Sequence, residues 1–129
     1  MDAPFRATYQ TKRMLYEMML SAEHRGAYVG YVRGEFSRTL TGFFQEVSSA
    51  FRFPYTFSWS WESLDACFRD LEWLSFSQLL WVISQPEKLF TQEEDHMAHV
   101  NALQRSIAAA ASFWRERQIP FDCVLNLFE

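Results

Sequence analysis

Two cysteines, Cys67 and Cys123, are all that 129 residues contain, so there is no disulfide framework to read. Both are expected to be reduced, half-buried thiols, and neither has the His and orienting partner that a catalytic cysteine needs. Glycine and proline are equally scarce, four each, which disfavours an all-β sandwich dense in tight turns. No apolar run approaches the ~20 residues that span a bilayer, so no membrane segment is expected. The opening residues Met1 to Arg6 lack the basic start and apolar middle of a signal peptide, and the protein is expected to stay in the cytoplasm. There is no Gly-rich phosphate loop, no nucleophile elbow, and no two-His metal helix with a general-base Glu. With only three histidines and no placed nucleophile, the chain is not expected to be an enzyme.

What is present is apolar and aromatic. Hydrophobic residues make up 49% and aromatic residues 18%, including 13 Phe and 5 Trp, ample for one packed domain and contrary to disorder. The net charge of −4 is unevenly spread. Residues 1–40 hold six Lys/Arg against four Asp/Glu, whereas residues 41–129 hold six against twelve. An acidic body is a poor direct ligand for nucleic acid, because phosphate contacts need cations. It suits a basic protein partner, since complementary fields speed encounter, although ordinary solubility charge reads the same way.

Periodicity divides the chain into seven elements. Residues 11–23 form a short amphipathic helix with Leu15, Met18 and Met19 on its apolar side, ending near Gly26. Met14, Met18 and Met19 could be an interaction face, but core packing explains them as well. Ala27 to Val32 reads as a strand. A helix opening near Thr39 places Leu40, Phe43, Phe44, Val47 and Phe51 on one stripe and is stopped by Pro54. After an aromatic turn, Ser60 caps a helix with Trp61, Leu64, Phe68 and Leu71 on one face and Glu62, Asp65, Arg69 and Glu72 on another. Leu79 to Ile83 is a continuous apolar run of the kind buried at the centre of a parallel sheet. Thr91 and Glu94 are spaced as a capping box for a long helix reaching about Arg117, with Val100, Leu103, Ile107, Ala110 or Ala111, and Trp114 as its core stripe. Beyond Pro120, Cys123 to Phe128 is the last strand. The order predicts an α/β fold: a small three-stranded parallel sheet packed by helices, with residues 1–26 as an N-terminal helical extension of a domain spanning 27–129.

Residues 53–74 add a specific signature. Phe53 and Pro54, then Phe57, Trp61, Leu64 and Cys67, and finally Asp70, Leu71, Trp73 and Leu74 match the spacing of barstar-like ribonuclease inhibitors, with Phe68 replacing a Leu. The Phe-Pro pair and the Asp-Leu-x-Trp-Leu ending are its specific parts, and over the rest of residues 27–128 the resemblance is one of architecture. It implies a barstar-like fold whose aromatic turn and following helix plug the basic active site of a cognate nuclease toxin, acidic side chains standing in for RNA phosphates. The implied partner-binding residues are Tyr55, Phe57, Trp59, Glu62, Asp65 and Arg69. The chain departs from the pattern at Ser58 (Gly in the family), Ser60 (Asn) and Glu62 (a shorter acid), and at Ala66, where the family's principal acid is expected.

Each of these residues also has a plainer reading. Alternate residues of the aromatic turn could fold back onto the core, Phe57 first among them. Glu62 could simply serve the helix dipole, and Asp65 could pair with Arg69 at i,i+4. His96 and His99, flanked by Glu93, Glu94 and Asp95, have metal-ligand spacing but need a third ligand from elsewhere, so no metal or other cofactor is assigned. The expected function is an immunity-type inhibitor of a nuclease toxin. The alternatives are a structural or assembly module using the N-terminal helix, and a weak metal-dependent hydrolase at the histidine pair.

Overall fold

The structure, a computed structural model, describes residues 5–127. Four parallel strands form one sheet: β1 (Phe5–Thr8), β2 (Ala27–Arg33), β3 (Gln78–Ser84) and β4 (Phe121–Asn126), in the spatial order β1-β4-β3-β2. Four helices accompany it: α1 (Lys12–His24), α2 (Leu40–Ala50), α3 (Trp61–Phe68) and α4 (His96–Glu116). The α/β class and parallel sheet agree with the sequence reading, but the expectation of three strands is corrected to four.

The additional strand, β1, has one large apolar residue in four, too little for a local signal. Long-range bonds hold it. Arg6 pairs with Asp122 at 3.0 Å. The buried Asn126 accepts from Thr8 Oγ1 and the Gln10 backbone N–H, each at 2.8 Å, and returns its own amide N–H to the Gln10 carbonyl at 3.0 Å. Because β1 and β2 lie at opposite edges, α1 crosses the whole back of the sheet. Its Thr11 hydroxyl accepts from the Met14 N–H, and Gly26, at φ +91°, turns the chain into β2 through a left-handed conformation that a side chain would strain.

Strand alternation separates two apolar layers. Leu80, Val82 and Val124 face α1, where they bury Leu15 and Ala22 with Met18 and Met19 at the rim, while Met14 is exposed. Val32, Leu79, Trp81, Ile83, Phe121 and Cys123 face the larger core beneath α2, α3 and α4. Both cysteines are buried rather than half-buried. Burial raises both thiols, and Asp70 adds to the effect at Cys67, as Asp122 does at Cys123.

Two helix ends differ from the sequence reading. α4 starts at His96, not at a Thr91 cap: Thr91 donates to the Lys88 carbonyl at 3.0 Å, and Glu93 accepts from the Leu40 N–H at 2.7 Å, capping α2 instead. The Phe90 and Gln92 N–H groups donate to the carbonyls of Ser37 and Arg38, each at 2.9 Å, which draws the segment away from helix. α3 ends at Phe68, although Leu71, at φ +51°, still reaches the core. The expected strand residue Phe128 lies outside the described residues. Among those described, no helix is long and apolar enough to cross a membrane.

One ion pair ties α2 to the end of β2. Glu46 accepts from the Arg33 N–H and Nε at 3.0 Å each, and from Nη2 at 2.9 Å. Partial burial by itself would raise this carboxyl, but the bonds from Arg33 outweigh it and hold the group below the usual carboxylate range. A carboxylate depressed by folding stabilises the protein above its unfolded pKa, and that contribution disappears as pH falls through the folded value. With Arg33 partly in solvent, Glu46→Gln is expected to cost about 1 kcal/mol at pH 7. The wild-type advantage should shrink as pH falls below the usual carboxylate range, as urea unfolding of both proteins from neutral to acid pH would register.

Candidate functional site at the aromatic turn and helix α3

The site begins where α2 ends. Phe51 is fully buried, and the chain then runs outward through Pro54 and back through Phe57, whose N–H closes a turn on the Pro54 carbonyl at 2.9 Å. Phe57 is a core residue, 7% exposed, packed against Phe53 and Phe44 at centroid distances of 5.0 and 5.7 Å. Tyr55 is the opposite, 99% exposed at the tip, and Trp59 is 46% exposed beside Phe57. Of the three turn aromatics, then, two face solvent and one anchors them. Trp59 has φ +59°, a conformation costly for a bulky residue, so the surrounding bonds hold the turn in a strained shape.

Those bonds come from serines. Ser60 caps α3 by accepting from the Ser63 N–H at 3.1 Å, while Ser63 Oγ accepts from the Ser58 N–H at 3.0 Å. The cap expected at Ser60 is therefore present, and a second hydroxyl ties the turn to the helix. Trp61 begins α3 half-buried against the core, with Phe43 and Phe44 at 5.5 and 5.4 Å. Its indole N–H donates to His99 Nδ1 at 3.3 Å, and His99 Nε2 lies 3.1 Å from Asp95. An indole can only donate, so the ring proton of neutral His99 sits on Nε2, toward Asp95. The cluster of histidine and acids is thus rearranged from the sequence reading: ligand atoms of His99, Glu93 and Asp95 lie within 4.8 Å of one another, without His96. Glu93 and His99 each already have a structural hydrogen bond. Metal at Nε2 would move the proton to Nδ1 and set it against the Trp61 N–H, so this donor set does not fit a metal.

The carboxylates on the site's outer side are differently placed. Glu62 is exposed in the first turn of α3 and has no ion pair among the described residues. Asp65 is half-buried, and one of its oxygens is fully buried without a hydrogen-bond partner. Arg69, the C-cap of α3, is exposed, and the i,i+4 ion pair with Asp65 is not formed. Asp65 lies one turn from Trp61, on the side of α3 that meets α4. Ala66, ~100° further round the helix, lies toward the turn. There it lines a groove with Ser63, Cys67 and Asp70, closed on the other side by Pro54, Thr56 and Trp73. Sequence reasoning missed this groove, and Asp70 with it, because Asp70 had been matched only as a pattern position.

A buried carboxylate oxygen with no donor costs stability that only an incoming group could restore. Asp65→Ala is expected to leave thermal stability unchanged, or to raise it by up to about 1 kcal/mol. Differential scanning calorimetry checks this, and a clear loss of stability would mean that Asp65 is satisfied internally.

No curated protein matched the chain in a sequence comparison. The family described as Barstar (barnase inhibitor) matches residues 27–126, from the start of β2 to the end of β4, and so includes the turn, α3 and the groove while leaving out β1 and α1. The chain belongs to the barstar family.

Proposed function

We propose that this protein is an immunity-type inhibitor, which binds a cognate basic nuclease toxin and occludes its active site with the aromatic turn and α3. The observation that carries the reading is the pairing of two solvent-facing aromatic side chains, Tyr55 and Trp59, with the unpaired carboxylate of Glu62 on a turn fixed by serine hydrogen bonds. Rigid aromatic groups lose little entropy on docking, and they exclude water around a charge contact. A carboxylate at the rim steers a cationic cleft and couples to it once desolvated. Phe57 contributes from beneath, by holding Trp59 in place. Asp65 and Arg69 flank Glu62, giving the surface a graded charge rather than a single anion.

Membership in a family described as barnase inhibitors supports the nuclease as partner. The thiols also favour binding over catalysis: burial raises both, which disfavours the thiolate that nucleophilic chemistry needs.

Co-expression with a candidate nuclease toxin tests the proposal. Tyr55 and Glu62 are exposed and make no side-chain bond among the described residues, so the double variant Tyr55→Ala, Glu62→Lys should fold, losing only about 1 kcal/mol for a cation at the positive end of α3. Its inhibition constant should rise by about 100-fold or more, given the several kcal/mol that close interfacial charge pairs couple. Undiminished rescue by the double variant would rule the mechanism out.

A further inference from the structure

The groove beside α3 has a volume of about 210 Å³ and a chemistry that selects one kind of occupant. It is lined by Pro54 and Thr56 of the turn, by Ser63, Ala66 and Cys67 of α3, and by Asp70 and Trp73 beyond it. Trp73 has its indole N–H committed to the Phe51 carbonyl at 2.9 Å, so it offers the groove a ring and not a donor. Cys67 is neutral. The formal charge in the lining is the carboxylate of Asp70, which is exposed and has no ion pair among the described residues. Its one hydrogen bond is a long one, 3.4 Å from the Glu72 N–H.

An anion at the edge of an apolar slot with an aromatic wall is complementary to a cation on an apolar stem. The stem packs on proline and methyl groups, the cationic plane lies along the ring, and the head reaches the carboxylate. Arginine meets all three conditions, because its guanidinium is planar, weakly hydrated and able to stack while hydrogen-bonding. Ala66 is essential to this arrangement. A longer side chain there would occupy the slot, and an acid would bring a second negative charge into it. The groove also continues directly into the exposed tip, since Tyr55 lies between the two turn residues that line it.

We propose that this groove receives an arginine side chain of the protein partner, with Asp70 as counter-ion and Ala66 as the residue that keeps the slot open. The inference rests on the inhibitory reading for its partner, but not for its chemistry. Asp70 and Ala66 are then specificity residues: they favour a toxin that presents arginine, and they add to Glu62 a second binding charge just beyond the end of the helix.

The groove can be probed without the toxin. N-acetyl-arginine amide titrated into the ¹⁵N-labelled protein should shift the amides of Ala66 and Asp70 and the Trp73 indole saturably, at millimolar concentration. Neutral N-acetyl-citrulline amide should not, and N-acetyl-lysine amide should bind more weakly. Asp70→Asn and Ala66→Phe, each keeping the remaining spectrum, should weaken the arginine response at least fivefold. No saturable shift, or an equal response in Asp70→Asn, would overturn the slot. Full toxin protection by Asp70→Asn would overturn its use by the partner. Arginine-selective binding in a chain that protects against no nuclease would support the slot and sink only the nuclease reading.

Discussion

The ring of Phe51 lies against β2 where Gly30 has no side chain, and a Cβ there would collide with it. That vacancy lets the end of α2 sink onto the sheet. The same ring meets Phe68 of α3 at 4.8 Å and Trp81 of β3 at 5.6 Å, and its backbone carbonyl accepts the Trp73 indole proton. One buried residue thus sets the height of α3, the exit direction of the turn and the wall of the groove. Close packing makes such a junction unforgiving, because interiors leave no slack for a displaced ring. The exposed groups at the site are only as well placed as this seat makes them.

Around that seat the molecule separates rigid parts from charged ones. Aromatic edge-to-face contacts and serine hydrogen bonds define the turn, and the carboxylates of Glu62 and Asp70 take no part in holding it. A group that does no structural work is free to pair with something else. Asp65 differs, since its buried oxygen lacks a donor inside the chain and the fold tolerates that cost. On the far side, β1 and α1 lie outside the segment matched to the family, yet they add a strand and cover the back of the sheet. They are bound through the side chain of Asn126, on the last residue of the matched segment.

Most helices and the central strand were legible because each is written in local periodicity. The stripe from Leu40 to Phe51, the apolar run around Trp81 and the Ser60 cap depend on neighbours a few residues apart. The aromatic turn was legible as a cluster, and so was its division into a buried Phe57 and an exposed Tyr55 and Trp59, since alternate residues of such a turn fold back onto the core. β1 was missed because its support comes from residues more than a hundred positions away. The false cap at Thr91 had the right spacing, but the backbone N–H groups of Phe90 and Gln92 on either side of it and the Glu93 carboxylate were claimed by the 37–40 segment.

By itself, then, the sequence determined the α/β class, the positions of the helices and the membership signalled by residues 53–74, because these rest on short-range pattern and spacing. Only the tertiary structure decided which carboxylates stand free, that His99 serves Trp61 in place of a metal, and that Ala66 and Asp70 open and charge a groove. The reason is physical: a side chain's partner is set by what the folded chain brings within a few ångströms of it, and sequence separation says nothing about that distance.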